Sequence, residues 1–368
     1  MASESYSEQA LAGGVESEPG HGDSDGSPVE GRSPWYLAYR RLRRNKVALG
    51  FLALFVLIVL FCLAAPIWAN NVADTGPDEQ HLTQKITVNG EKKDVVDPTG
   101  VPIGPQWFAA GGKYFLGADQ NGRDVMVRLM YGGRVSLFVG VMAALVTTIF
   151  AVGLGVIAGY NRGWSDSVIS RAMDVVWAFP VLLLGIALGT ALAAGGLKIG
   201  PLSIPDDSLW IPILIIGFVY TPYMARPIRG EVLALREKEF VEAAIAQGAG
   251  PLRIMFSELL PNLLTTIIVF FTLNIANNML LESALSFLGA GVRPPQSSWG
   301  SLTADGYEVI YSAPHLVLIP GLMIILTVLS LNVFGDGLRD ALDPRAKIRL
   351  EQRSGIAETE TTAAAAEI

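Results

Sequence analysis

The chain has 368 residues, 51% hydrophobic and only 17% charged, with a mean hydropathy of +0.42. That length would suit about two soluble domains, but the apolar content points to a membrane protein. The formal charge of −7 belongs to the ends: residues 1–31 carry seven acids and no Lys or Arg, and residues 351–368 carry four acids and one Arg, so the body is at +3.

The first 34 residues are rich in Ser, Gly and Glu and poor in large apolar side chains, which predicts a disordered acidic cytoplasmic tail. A basic segment follows, with Arg40, Arg41, Arg43, Arg44 and Lys46, and it opens the first apolar run at 47–68. This run starts too far in, and is too long, for a cleaved signal peptide. It contains Cys62, the only cysteine, so no disulfide framework is expected. Further runs long enough for a hydrocarbon core of about 30 Å lie at 135–160, 172–197, 209–225, 262–282 and 315–334. The predicted divisions are 35–69 (basic segment and first span), 70–133 (extracytoplasmic loop), 134–347 (a core of five spans) and 348–368 (a disordered tail).

With the N-terminus inside, the segments 32–46, 161–171, 226–253 and 338–353 face the cytoplasm and hold 18 of the 27 Lys and Arg. Both termini are then cytoplasmic. Arg123, Arg128 and Arg134 fall outside the second span against this rule, with Asp119 and Asp124 close enough in sequence to offset them. Charged residues and histidines near the spans, among them Asp174, Glu282, His315 and Asp336, fall at span ends, which disfavours the carboxylate relay of a secondary transporter.

Within the loop, "AAGGKY" at 109–114 lacks the leading glycine and the final Ser or Thr of a nucleotide-binding loop. "DQNGRD" at 119–124 has Met130 where an EF-hand needs an acid, so an Asx-type turn capping the next helix is expected. Gly153, Gly155 and Gly159 give the second span a small face for close helix packing. His21, His81 and His315 form no metal-ligand pattern. No metal, cofactor, catalytic pair or nucleic-acid partner is assigned.

The loop between the fourth and fifth spans reads "RGEVLALREKEFVEAAIAQGAGPLRIMF" from Arg229 to Phe256. Leu233, Phe240, Ala244 and Gln247 recur at helical spacing, Gly248 suits a left-handed cap, and Pro251 suits the first turn of a second helix running into Pro261. An amphipathic helix at this place can dock into another protein or rest on lipid headgroups. Pattern alone leaves both readings open.

Glu242-Ala243-Ala244, Gly248 and Leu260-Pro261 resemble the "EAA" loop of permease subunits in ABC importers. "LGADQNGRDVMVRLMYGGRVSL" (116–137), "ESALSFLGAGVRPPQSSWG" (282–300) and "NVFGDGLRDALDPR" (332–345) are similar to the C-type subunit of the dipeptide/oligopeptide and nickel branch. Ala118 and Glu258 depart from that pattern. The resemblance implies an all-α polytopic membrane protein with six transmembrane helices and the type I ABC importer permease fold. It also implies a bacterial or archaeal cell membrane as its location. The implied partners are a homologous B-type permease subunit, two ATPase subunits, an extracytoplasmic substrate-binding protein and membrane lipid. Coupling to the ATPase would fall to Glu239, Phe240, Glu242, Ala243, Ala244, Gln247, Gly248, Leu260 and Pro261. An external mouth would include Arg293, Pro294, Pro295 and Trp299, the last suited to a membrane–water interface. Peptides are the implied cargo, with nickel, an oligosaccharide or another small solute as the alternative.

Overall fold

The computed structural model describes residues 34–342; the predicted tails lie outside the described residues except for Pro34, which opens the first helix. Pro34–Arg44 (α1) ends in Arg41, Arg43 and Arg44, where cations favour a helix C-terminus. Asn45 then caps Lys46–Leu63 (α2), its side chain accepting from the Ala48 amide at 3.1 Å. Ala65–Trp68 (α3) and a π-helical turn, Ala69–Ala73, close this run.

The loop that follows has structure of its own. Lys85–Val88 (β1) and Glu91–Asp94 (β2) pair as an antiparallel hairpin around Asn89-Gly90, both residues at positive φ. Ile86, Val88, Val95, Tyr114 and Ala118 form a small core beneath it. Asp119 accepts from the amides of Asn121 and Arg123, and Asp124 caps the next helix through the amides of Met126 and Val127. This is the turn and cap that "DQNGRD" predicts.

Among the described residues, five helices are long and apolar enough to cross a bilayer, and a bent pair makes six if it counts as one span. The five are α2; Val125–Asn161 (α4); Trp210–Leu235 (α7); the continuous stretch Pro251–Phe287; and His315–Leu342 (α12). Gly163–Trp177 (α5) and Val181–Ala193 (α6) make the pair, bent by 88°. The apolar run 172–197 is therefore not one straight span. Pro180 cannot donate a backbone hydrogen bond, so the helix stops and restarts there. Leu197, at the run's end, opens a second hairpin, Leu197–Ile199 (β3) with Leu202–Ile204 (β4). Glu239–Ala246 (α8) follows α7, and Trp299–Tyr307 (α11) precedes α12.

The stretch Pro251–Phe287 comprises Pro251–Arg253 (α9), a π-helical segment Ile254–Leu259 and Leu260–Phe287 (α10). The second helix predicted after Gly248 thus does not end near Pro261 but runs on as a membrane helix. Pro261 has no N–H for the Ser257 carbonyl and its ring presses on that position; a wider turn just ahead accommodates it.

Several helices outrun their apolar runs. The 37 residues of α4 extend about 55 Å, well beyond a hydrocarbon core of about 30 Å, so the predicted boundary at 133/134 falls inside this helix. Arg128 and Arg134 sit in its first three turns, and Arg226, Arg229 and Glu231 in the last turns of α7. Charge at the ends of the runs therefore becomes charge within helices.

The most extensive helix contact is α4 on α7. A Cβ at Gly155 would stand 2.8 Å from Ile228 and 2.9 Å from the Ala225 carbonyl; one at Gly159 would stand 2.7 Å from Val232. Close approach at these two glycines gives the small face its partner. Gly153 meets nothing within 4 Å and points elsewhere.

Candidate functional site

Two groupings of predicted residues stand at opposite ends of the helices. At one end, α8 begins after Lys238 in extended backbone, with Glu239 and Glu242 in its first turn, where acids favour the helix dipole. Among α8 residues only Val241 is buried, in a core with Val232, Met173, Ile254 and Leu259. The helix stops at a Schellman turn. The Gly248 amide donates to Ile245 O at 2.9 Å and the Ala249 amide to Ala244 O at 3.0 Å, while Gly248 holds φ +81°. Gly250 and Pro251 then start the next helix.

Leu233 belongs to α7, separated from α8 by a turn at 236–238, so Leu233, Phe240, Ala244 and Gln247 do not share one helix. Phe240, Ala243, Ala244 and Gln247 instead line one side of a groove of about 210 Å³, facing Ala249, Arg253 and Glu258. Ala249 and Arg253 carry no signal within α8 itself and were not predicted. Glu239, Glu242 and Gly248 are exposed beside the groove, and Leu260 and Pro261 open α10. The end of α7 and the turn that leads into α8 are tied to α4 and α5 by two ion pairs and a hydrogen bond. Arg229 grips Asp166 by a fork of two bonds, at 2.5 and 2.7 Å, Arg162 reaches Glu237 at 2.5 Å, and Arg236 donates to the Tyr160 carbonyl.

At the other end, the segment 282–300 is built around Glu282, which is completely buried. Ser136 donates to Glu282 Oε2 at 3.0 Å and accepts from the Trp299 amide at 3.1 Å. Ser286 donates to Glu282 Oε1 at 2.7 Å and accepts from the Val292 amide at 3.0 Å. One carboxylate thus holds two points of the segment's backbone through serine relays. The i, i+4 spacing of Glu282 and Ser286 marks one of these relays in the sequence; Ser136, 146 positions away from Glu282, carries no such mark.

Trp299, expected at a membrane–water interface, is fully buried. Its Nε1 donates to Leu129 O at 2.9 Å, and its ring occupies space that a Cβ at Gly133 would take. Pro294 and Pro295, joined by a cis peptide, are exposed. Arg293 donates to Ala193 O at 3.1 Å and lies 3.6 Å from Asp206. The four predicted mouth residues are therefore not one cluster. Nearby, Arg128 binds Asp119 at 2.6 Å and Asp305 at 3.1 Å, fastening the 119–124 turn to α11. Burial pushes the Asp124 carboxyl upward, against backbone hydrogen bonds from Val127, Tyr114 and Met126 that favour its charge.

Residues 151–348 match the family described as "Binding-protein-dependent transport system inner membrane component", and residues 33–87 match "N-terminal TM domain of oligopeptide transport permease C". The dipeptide transport system permease protein DppC of Alkalihalophilus pseudofirmus is 39% identical over 316 residues, covering 86% of this chain and 91% of that protein. The oligopeptide transport system permease protein OppC of Haemophilus influenzae is 33% identical over 317 residues, covering 86% and 90%. Among solved structures, an inward-facing MetNI methionine ABC transporter chain aligns with a TM-score of 0.48 at 17% identity, over 58% of this chain and 96% of that one. The chain belongs to the family of binding-protein-dependent transport system inner membrane components, the permease subunits of ABC importers, in its C-type dipeptide/oligopeptide branch.

Proposed function

We propose that this chain forms half of a translocation pathway for di- or oligopeptides and converts ATPase movement into its opening. The second half is a homologous permease chain, two ATPase subunits act at the α8 face, and a substrate-binding protein delivers cargo at the opposite face. In this reading both termini and α8 are cytoplasmic. The chain itself contributes no catalytic residue; ATP hydrolysis belongs to its partners. Peptide cargo is inferred from relatives named for dipeptide and oligopeptide transport.

The observation that carries this reading is the form of α8. A short helix is clamped by Val241 and a Schellman turn, and it presents Phe240, Ala243, Ala244 and Gln247 along an open groove. Small side chains permit close approach by a partner, and rigid attachment lets a push on α8 reach the bundle.

Gly248→Val tests it. Nothing stands within 4 Å of a Cβ there, so the substitution acts through backbone strain of about 1–2 kcal/mol. Membrane insertion and binding-protein affinity should be unchanged, while co-purification of the ATPase subunits weakens and transport in proteoliposomes is lost. Full transport with normal ATPase recovery would return α8 to a surface element.

A further inference from the structure

Between α2 and α4 lies a groove of about 820 Å³ whose polarity changes along its length. The end of α2 stands beside the start of α4, where Cys62 Sγ fills the space a Cβ at Gly133 would take. Tyr131, Arg134 and Gln296, the polar side chains of the lining, belong to that shared end. Deeper in, the walls are Phe55 and Val59 from α2 with Phe138 and Val141 from α4. From Arg134 to Val141 is about 10 Å along the helix, on the scale of one leaflet's hydrocarbon depth.

Arg134 is exposed, its guanidinium 5.5 Å over the Tyr131 ring, and it lies where the apolar run of α4 begins. No acidic side chain lines the groove. A lone cation heading an apolar channel at membrane-boundary depth is complementary to an amphiphile with an anionic head and a hydrocarbon tail.

We infer that this groove holds a phospholipid of the leaflet on the side of the 70–124 loop, its phosphate on Arg134 and an acyl chain between α2 and α4. The site serves as a second anchor for α2, which packs along α12 and leaves Val56, Leu57, Leu60 and Leu63 exposed. A helix of the second permease chain is the competing occupant. It would have to leave Arg134 without the anionic counterpart that the groove's own walls do not supply.

The test uses the purified transporter, washed free of endogenous lipid in detergent. It is then exposed to dioleoyl-phosphatidylglycerol or to dioleoylglycerol, which has the same chains and no phosphate. Native mass spectrometry should find the phosphatidylglycerol retained about fivefold more, the equivalent of about 1 kcal/mol. Arg134→Gln should bring the two lipids to parity, Arg134→Lys should keep the preference, and Val59→Trp should lower retention of both. Arg134→Lys also controls for folding. Equal retention of the two lipids by the unmodified protein, or an unaltered preference in Arg134→Gln, overturns the site. A disulfide between Phe138→Cys and a cysteine placed in the second permease chain, formed in native membranes, would show a protein occupant and overturn it too.

Discussion

A carboxylate with no exposure, such as Glu282, persists only where every oxygen has a partner, because burying it unsatisfied costs several kcal/mol. Its partners are hydroxyls, and those hydroxyls in turn accept from the backbone at Val292 and Trp299. Glu282→Ala removes the acceptor and strands Ser136 and Ser286, at about 3 kcal/mol. The thermal midpoint of the purified permease should fall by several degrees, with Glu282→Gln in between because it keeps one oxygen. An Ala variant as stable as the unmodified protein would show that the relays hold nothing. Trp299→Ala should cost about 3–5 kcal/mol through the cavity it leaves, far more than loss of an interfacial anchor. Trp299→Phe should recover much of that in the same melting assay. Exposed Pro294→Ala should leave the midpoint unchanged, so these two positions, grouped by sequence, separate by experiment.

At the scale of elements, the glycines of α4 are the sharpest case. Gly155→Val and Gly159→Val overpack a contact whose opposing atoms are partly backbone and cannot give, so each should cost about 1–3 kcal/mol. Gly153→Ala, which meets nothing, should be neutral; detergent-solubilised yield and melting of the three variants would check this. The five unbroken spans were legible because about 20 apolar residues in a row can satisfy their backbone in a membrane as a helix. The cap at Asp124 and the stop at Gly248 were legible because each depends on its own few residues. The break at Pro180 was visible as a residue, but the 88° bend depends on what α5 and α6 pack against. The Ser136–Glu282 bond joins residues 146 positions apart, and no local pattern marks such a meeting; the groove beside α8 lies within residues 240–258, but it depends on how α8 sits against the start of the next helix. Asn89-Gly90, by contrast, is a local hairpin signal that the sequence itself carries.

At the scale of the molecule, a push on α8 has to travel into the long helices, and two ion pairs offer the route. Arg162 and Glu237 are both well exposed, and such pairs are screened and contribute little. Arg229 and Asp166 are more sheltered and meet through two parallel bonds, which adds both energy and a fixed angle between α7 and α5. If α8 drives the bundle, the second pair should dominate coupling. Asp166→Asn should therefore lower transport per ATP hydrolysed several-fold while the ATPase subunits remain bound. Glu237→Gln should leave that ratio within error. Paired measurements of ATP turnover and peptide uptake in proteoliposomes give the ratio directly. The charge reversal Asp166→Arg with Arg229→Asp should restore part of it if contact between the two helices, rather than the individual residues, is what transmits the movement. An uncoupled Glu237→Gln beside a normal Asp166→Asn would place the route in the 236–238 turn instead, next to α8 itself.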